Sequence, residues 1–336
     1  MMKTKFIFAA IAMILAASGC SKENVSVDTI EETRFPLEIS VPGPAVKAQS
    51  VADEAKVNSL QIYVFRSSGV LEAYGKSLSN KVVTQCTSGT KTIVALANAP
   101  DINNALTKAA LDARISNLKD NAPGAFVMYG SASKDVSAAS GTVSIPVTRM
   151  VARVSIQKIT NKLELPQYNG TSIQIKRIYL VNAAGDMKYG DTRYGADASQ
   201  GNAYTPTVWY NAGKCDKDGD LPSLLNSKDL TAAVASSSAP YSVAHYFYCY
   251  PNPATAGKAG SARCTRLVVE ASINGKLCYY PISISDIKNN HTYNISELVI
   301  TRIGSENPDT PVSYSQATFT VTVNSWEEGS DTSVTI

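Results

Sequence analysis

The sequence predicts a mainly all-β protein with one or two short helices. Three observations carry that prediction: short apolar or alternating runs recur along the 336 residues, turn residues separate many of them, and the composition is rich in Ser, Thr, Val, Ala and Tyr with little charge. β-Branched and aromatic side chains suit a pleated, half-buried surface. Many short strands at close spacing, with turn signals between them, argue for β-sandwiches. At roughly 100–200 residues per domain, the length argues for two domains. No period of 20–50 residues occurs, so a solenoid or propeller is not expected.

The N-terminus reads as a secretion signal. Lys3 and Lys5 precede an apolar run from Phe6 to Ala17, closed by Leu15-Ala16-Ala17-Ser18-Gly19-Cys20. A basic region, an apolar region and a small-residue cleavage site are its three parts. The run is shorter than the ~20 apolar residues a membrane-spanning helix needs. A cysteine directly after small residues resembles a lipobox, in which the thiol is acylated and the chain is cut before it. Residues 1–20 are then a lipoprotein signal peptide and Cys20 is the lipidated residue. An ordinary signal peptide with a coincidental cysteine is the alternative.

Residues 21–33 are polar and acidic on balance (Glu23, Asp28, Glu31, Glu32), as in a flexible tether. Residues 35–41 alternate apolar with polar, a strand signal. Pro36 and Pro42 suit an edge or end strand rather than a central one. Pro42-Gly43-Pro44 breaks the pattern, and the small and polar residues through Ala55 read as a loop. Residues 57–65 predict a strong strand with Leu60, Ile62 and Val64 on one face, and residues 92–97 a short apolar one. Residues 101–120 predict a helix capped by Asp101 or Asn103, with Leu106, Leu111, Ile115 and Leu118 near one face.

Further strands are expected at residues 125–129, 142–148, 151–159, 172–181, 243–250, 265–272, 277–285, 292–301 and 317–323. Asn274-Gly275 between two of these is the clearest hairpin signal. Residues 185–238 read as long surface loops with a short helix near 221–225.

Little here points to chemistry. The net charge of +3 comes from scattered residues, so no basic stripe for nucleic acid exists. After Cys20 come Cys86, Cys215, Cys249, Cys264 and Cys278, an odd number without metal-ligand spacing. One or two disulfides in the C-terminal half stay open. His245 sits in an apolar strand and His291 beside Asn289 and Asn290 in a turn-like setting. Both read as packed or hydrogen-bonded residues, since a base needs a positioned partner. No nucleophile elbow, zinc helix, phosphate loop or dinucleotide glycine pattern is present. Asp216-Lys217-Asp218-Gly219-Asp220 suggests a calcium loop, but Ser227 stands where the bidentate Glu should be. No catalytic residue, metal ligand or cofactor is assigned, and an enzyme is not expected.

Two segments suit assembly. Lys47 lies in a small-residue loop after the first strand, the kind of site proteases nick. A cut there would remove that strand, whose inward residues are Leu37, Ile39 and Val41, and expose unpaired backbone. At the other end, Phe319, Val321 and Val323 alternate with threonines. Trp326 follows, and the chain closes on Val334 and Ile336. Such a strand can add to the groove of a second molecule, and head-to-tail use propagates as a filament. The alternative is that both segments are edge strands of their own domains.

At these residues the chain resembles the FimA-type major fimbrillins, the lipoprotein-derived pilins of anaerobic gut and oral bacteria. Residues 37–41 with Lys47-Ala48-Gln49-Ser50-Val51 are similar to the family's first strand and maturation site. Residues 55–65 are similar to the next strand, and residues 86–98, ending in Ala97-Asn98, to a characteristic turn and strand. Arg149-Met150-Val151-Ala152-Arg153-Val154 looks like the start of the second domain. Asn290-His291-Thr292-Tyr293-Asn294-Ile295 and Val323-Asn324-Ser325-Trp326 complete the pattern.

The resemblance implies two transthyretin-like β-sandwich domains. Its divisions are a signal peptide (1–20), a propeptide with the removable strand (21–47), an N-terminal domain (48–148) and a C-terminal domain ending in the donor strand (149–336). It implies a palmitoylated precursor at the outer membrane and a cut by a trypsin-like protease between Lys47 and Ala48. The mature subunit would then enter a surface fimbrium by donor-strand exchange and support adhesion. The family's cut site is usually Arg, so Arg34 is the second choice and Lys56 the third. The implied partners are further copies of the chain, anchor and tip fimbrillins, the protease and a transient lipid anchor. The alternative role is a tip or accessory adhesin, or a surface lipoprotein binding host or glycan ligands.

Overall fold

The computed structural model describes residues 33–42, 53–191, 205–211, 222–227, 229–254, 264–310, 317–326 and 332–334. The first strand, Phe35–Ser40, pairs antiparallel with Lys81–Cys86 along its whole length. On its other side it pairs parallel with Val143–Ser144, through Ile39 and Ser40 only. It is therefore the middle strand of three, not the edge strand its prolines suggest. Pro36 is tolerated because it stands opposite Gln85 where the other side of the strand carries no partner strand.

A five-stranded antiparallel sheet faces this one. Its order is Leu71–Ser77, Leu60–Arg66, Gly89–Ala97, Met128–Val136 and Thr148–Arg149. Phe35, Leu37, Ile39 and Val41 meet Leu60, Ile62, Val64, Ile93 and Ala95 in one core between the two sheets. The opposite face of the five-stranded sheet, with Tyr63, Phe65, Val94 and Leu96, enters a second core. Burial on both faces is why Ile62-Tyr63-Val64-Phe65 is apolar without a break, beyond the single apolar face of Leu60, Ile62 and Val64.

The second core lies chiefly between two larger sheets. One orders His245–Cys249, Ala152–Ile156, His291–Ile300, Ala317–Ser325 and Thr332–Val334, with Ile159–Asn161 also on His291–Ile300. The other orders Trp209–Asn211, Ile173–Ala184, Thr265–Ile273 and Lys276–Ile284, with two short strands added along Ile173–Ala184. Val154, Ile178, Leu180, Leu267, Ile282, Ile295 and Leu298 fill the space between them. Asn274 (φ +49) and Gly275 (φ +78) both adopt the left-handed conformation a two-residue hairpin turn requires.

The helix expected over residues 101–120 is a single turn, Lys108–Asp112. Its cap is Thr107, whose hydroxyl accepts the Ala110 N–H at 3.1 Å. Asn104 at φ +66 breaks the chain before it, and Ile115–Asn117 after it pairs as a strand with Asp186–Lys188. Leu71–Ser77 and Lys81–Cys86 are strands beyond those expected from the sequence. Cys86, Cys249, Cys264 and Cys278 are buried free thiols, so those three C-terminal cysteines form no disulfide with one another. Cys215 and the 216–220 acidic run lie outside the described residues. Within residues 185–238 the expected short helix is a 3-10 turn, Ser223–Leu225.

Candidate functional site

The groove around the first strand is built from alternation. Leu37, Ile39 and Val41 are fully buried and Phe35 nearly so, while Pro36 is exposed. At about 1.5–3 kcal/mol for each buried aliphatic or aromatic side chain, the four hold the strand by roughly 6–12 kcal/mol before entropy is counted. Outside the groove, Glu38 accepts from Lys81 Nζ at 3.0 Å and from Thr142 Oγ1 at 2.7 Å. Those hydrogen bonds, Thr142's first, hold the exposed Glu38 carboxyl below its ordinary value. The strand is thus tied to both neighbours.

The groove wall has its own fastening. Where Lys81–Cys86 turns into Gly89–Ala97, Glu72 is buried and accepts from the Thr87 amide (2.6 Å), the Thr87 hydroxyl (2.8 Å) and Lys91 Nζ (2.6 Å). Burial alone would raise the Glu72 pKa. The bonds from Lys91 and Thr87 outweigh it and leave the carboxyl below its ordinary value. This ion pair involves no residue of the first strand.

The closing strand, Ala317–Ser325, pairs antiparallel with His291–Ile300 and, on its other edge, through Val321–Val323 with Thr332–Val334. Ala317 and Val321 are buried, while Phe319 and Val323 are partly buried against the same core. At its end Trp326 is buried, and its backbone N–H donates to the Asn290 carbonyl at 2.9 Å. The Trp326 ring lies 4.4 Å from the Arg149 guanidinium carbon and 5.2 Å from that of Arg153. Tyr248 stacks on it at 6.2 Å and Phe126 tilts against it at 6.5 Å.

Both arginines reach back to Glu54. Arg149 Nε donates to the Glu54 carbonyl at 2.9 Å, and Arg153 Nη1 to its carboxylate Oε2 at 2.8 Å. The Tyr248 hydroxyl donates to Oε1 at 2.7 Å. Burial, then the adjacent Glu54 charge, raises the Tyr248 pKa far above the ordinary phenol value. Beside this cluster a cavity of about 460 Å³ is lined by Arg153, Ser155, Tyr246, Thr292, Asn294 and Asn324, among others.

Of the residues singled out in the sequence, Leu37, Ile39 and Val41 lie in the groove, and Arg34 is exposed with Nη1 3.4 Å from the Gln85 carbonyl. Phe319, Val321, Val323 and Trp326 lie in or beside the closing strand, and Val334 in the strand over it. Cys20, Lys47, Ala48 and Ile336 lie outside the described residues. The first and closing strands occupy different sheets. Sequence reading missed Glu54, Glu72, Lys91 and Tyr248. Arg149 and Arg153 stood in a quoted motif without a role.

His245 bonds Tyr241 and Ser227, and His291 bonds the Asn289 carbonyl. Among the described residues no group of three or more His, Cys, Asp or Glu is placed to hold a metal ion. No helix among them is long and apolar enough to cross a membrane.

Residues 37–177 match the sequence model of the family described as major fimbrial subunit protein (FimA). That span begins within the first strand, two residues after Phe35, and ends within Ile173–Ala184, so it includes Lys81–Cys86, Val143–Ser144 and the five-stranded sheet that faces them. No curated protein sequence matches the chain. Among solved structures, a fimbrilin (FimA) from Porphyromonas gingivalis W83 is similar at 18% identity and TM-score 0.59, over 87% of this chain and 98% of that one. A candidate cell adhesion protein from Parabacteroides distasonis is similar at 16% identity and TM-score 0.62, over 88% and 97%. A fimbrial assembly protein from the same organism is similar at 11% identity and TM-score 0.50, over 90% and 99%. The chain shares the fold of these proteins across both sandwiches.

Proposed function

We propose that the chain is a structural subunit of a surface fimbria that polymerises by protease-triggered donor-strand exchange. The observation that carries this reading is the first strand. Its backbone lies between Lys81–Cys86 and Val143–Ser144, its four buried side chains enter the core under the five-stranded sheet, and Lys47 follows six residues after Val41 in the sequence. The roughly 6–12 kcal/mol estimated for those side chains is comparable with the net stability of a whole domain. Such a strand does not leave an uncut chain spontaneously. Once severed, it is replaced by a segment with equivalent alternation, and the closing strand of a second copy supplies one.

On this reading the precursor is a lipoprotein of the outer membrane, carried there through Cys20. A trypsin-like protease cuts between Lys47 and Ala48, the lipid leaves with the first strand, and the mature subunit joins a cell-surface fimbrium with anchor and tip subunits. The test is to treat the purified chain with such a protease, sequence the new N-terminus and run the product unheated in SDS. Ladders with Ala48 at the N-terminus support the reading. Cleaved protein that stays monomeric, together with unchanged assembly in cells after deletion of residues 319–336, overturns it. Immunogold label once per filament, rather than along it, assigns the chain to the tip.

A further inference from the structure

We propose that Glu54 is a latch that keeps the closing strand docked until the chain is cut. This rests on the donor-strand reading above and names how that strand is regulated. Glu54 lies seven residues after Lys47, and its side chain is almost fully buried. It is bonded through both carboxylate oxygens and through its carbonyl to Arg153, Tyr248 and Arg149. Those three residues form the seat of Trp326, the residue directly after the closing strand. Arg149 and Trp326 meet again at Asn290, through its side-chain oxygen (3.2 Å) and its backbone carbonyl (2.9 Å). The segment after the maturation site and the end of the closing strand therefore share one buried cluster of charge and aromatic rings.

The physical logic is that of a buried ion pair. Arg153 is desolvated, and losing the Glu54 carboxylate would leave its charge unpaired, which a protein interior does not tolerate. The arginines would then turn toward solvent and take the cation–π seat of Trp326 with them. In the uncut chain Glu54 lies, in sequence, between two fastened points. Val41 is buried upstream, and Asn98 bonds the Lys56 carbonyl and the Asn58 amide downstream. A cut after Lys47 would make Glu54 the seventh residue from a new chain end, joined covalently to the fold from one side, so that its bonds to Arg153, Tyr248 and Arg149 alone hold it down, and segments next to a chain end open more often than internal ones. Cutting the chain would thereby both vacate the groove and free the strand that fills it.

The test reads the uncut monomer by hydrogen–deuterium exchange and needs no polymer. Glu54→Gln should speed exchange of residues 317–325 at least tenfold while leaving strand Gly89–Ala97 unchanged, and Tyr248→Phe should give a smaller increase of the same pattern. Cutting wild-type protein should speed the same residues, and cutting Glu54→Gln should add little more. Exchange at the wild-type rate in both variants overturns the latch, and so does equal acceleration of Gly89–Ala97. If Glu54→Gln does not fold, Tyr248→Phe and the cut wild type decide alone. Ladders with unaltered exchange sink the latch and spare the donor strand; faster exchange without ladders does the reverse.

Discussion

The guanidinium carbon of Arg149 stands 4.4 Å from the ring centroid of Trp326, and both residues are buried. The arginine comes from the last strand of the sheet that faces the first strand, and the tryptophan directly follows the closing strand. One contact thus joins the sheet beneath the groove to the segment proposed to fill a neighbour's groove. Such a pair contributes about 0.5–2 kcal/mol beyond the area it buries.

Trp326→Ala should lower the stability of the uncut chain by about 3–5 kcal/mol, the usual cost of truncating a large buried aromatic side chain. Arg149 and Arg153 would lose their aromatic cover at the same time. Urea unfolding followed by far-UV circular dichroism measures the change. A midpoint equal to that of the wild type would mean that the ring packs against nothing that matters in solution.

Leu37→Ala should cost the uncut chain about 2–5 kcal/mol, because the side chain is fully buried and leaves a cavity. The same substitution should have no effect on protein cut after Lys47 once the released strand has been replaced, since position 37 is then absent. Unfolding curves of the two forms, each against its own wild type, make the comparison. An equal loss in both would show that the first strand stays in the mature protein.

The first strand was legible because one of its faces meets a core, so polarity alternates along it. Leu71–Ser77 was not, because its residues are nearly all partly exposed and no alternation develops. Leu106, Leu111, Ile115 and Leu118 mimic a helical stripe. Yet Leu106 is exposed, and Ile115 belongs to a strand whose partner, Asp186–Lys188, lies some seventy residues away. Tertiary pairing overrode local spacing there. The Glu54 cluster left no local trace at all: its partners Arg153 and Tyr248 are 99 and 194 residues distant. A lone glutamate in a small-residue loop reads as solvated surface.

Phe319→Asp should block assembly while leaving the monomer folded. Phe319 is only partly buried in its own sheet, so the charge can reach water before exchange. In a dry groove the same carboxylate would have no partner. Val321→Asp is the harsher variant, because Val321 is buried in the monomer and its own sheet would suffer. Ladder formation after protease treatment, with circular dichroism of the uncut monomer as the control, separates the two effects. Normal ladders from Phe319→Asp would remove this segment from the assembly.

The groove wall should weaken in acid. Glu72 has its pKa held below the ordinary value in the fold: burial would raise it, but the hydrogen bonds from Lys91 and Thr87 prevail. In the unfolded chain it titrates near 4.3. Between the folded and unfolded values the unfolded state binds more protons, so stability rises with pH there. The contribution is complete above the unfolded value and is lost as pH falls through the folded one. Glu72→Gln should therefore be less stable than wild type at neutral pH, with Lys91 left buried and unpaired by that carboxylate, and the gap should narrow below about pH 4. Urea midpoints of both proteins from neutral to acid pH measure it. A gap that stays constant with pH would mean that Glu72 is not held ionised by Thr87 and Lys91. If the gap narrows as expected, the turn after Lys81–Cys86 keeps its shape by charge, and the vacated groove would remain ready for a strand at any pH at which Glu72 is ionised.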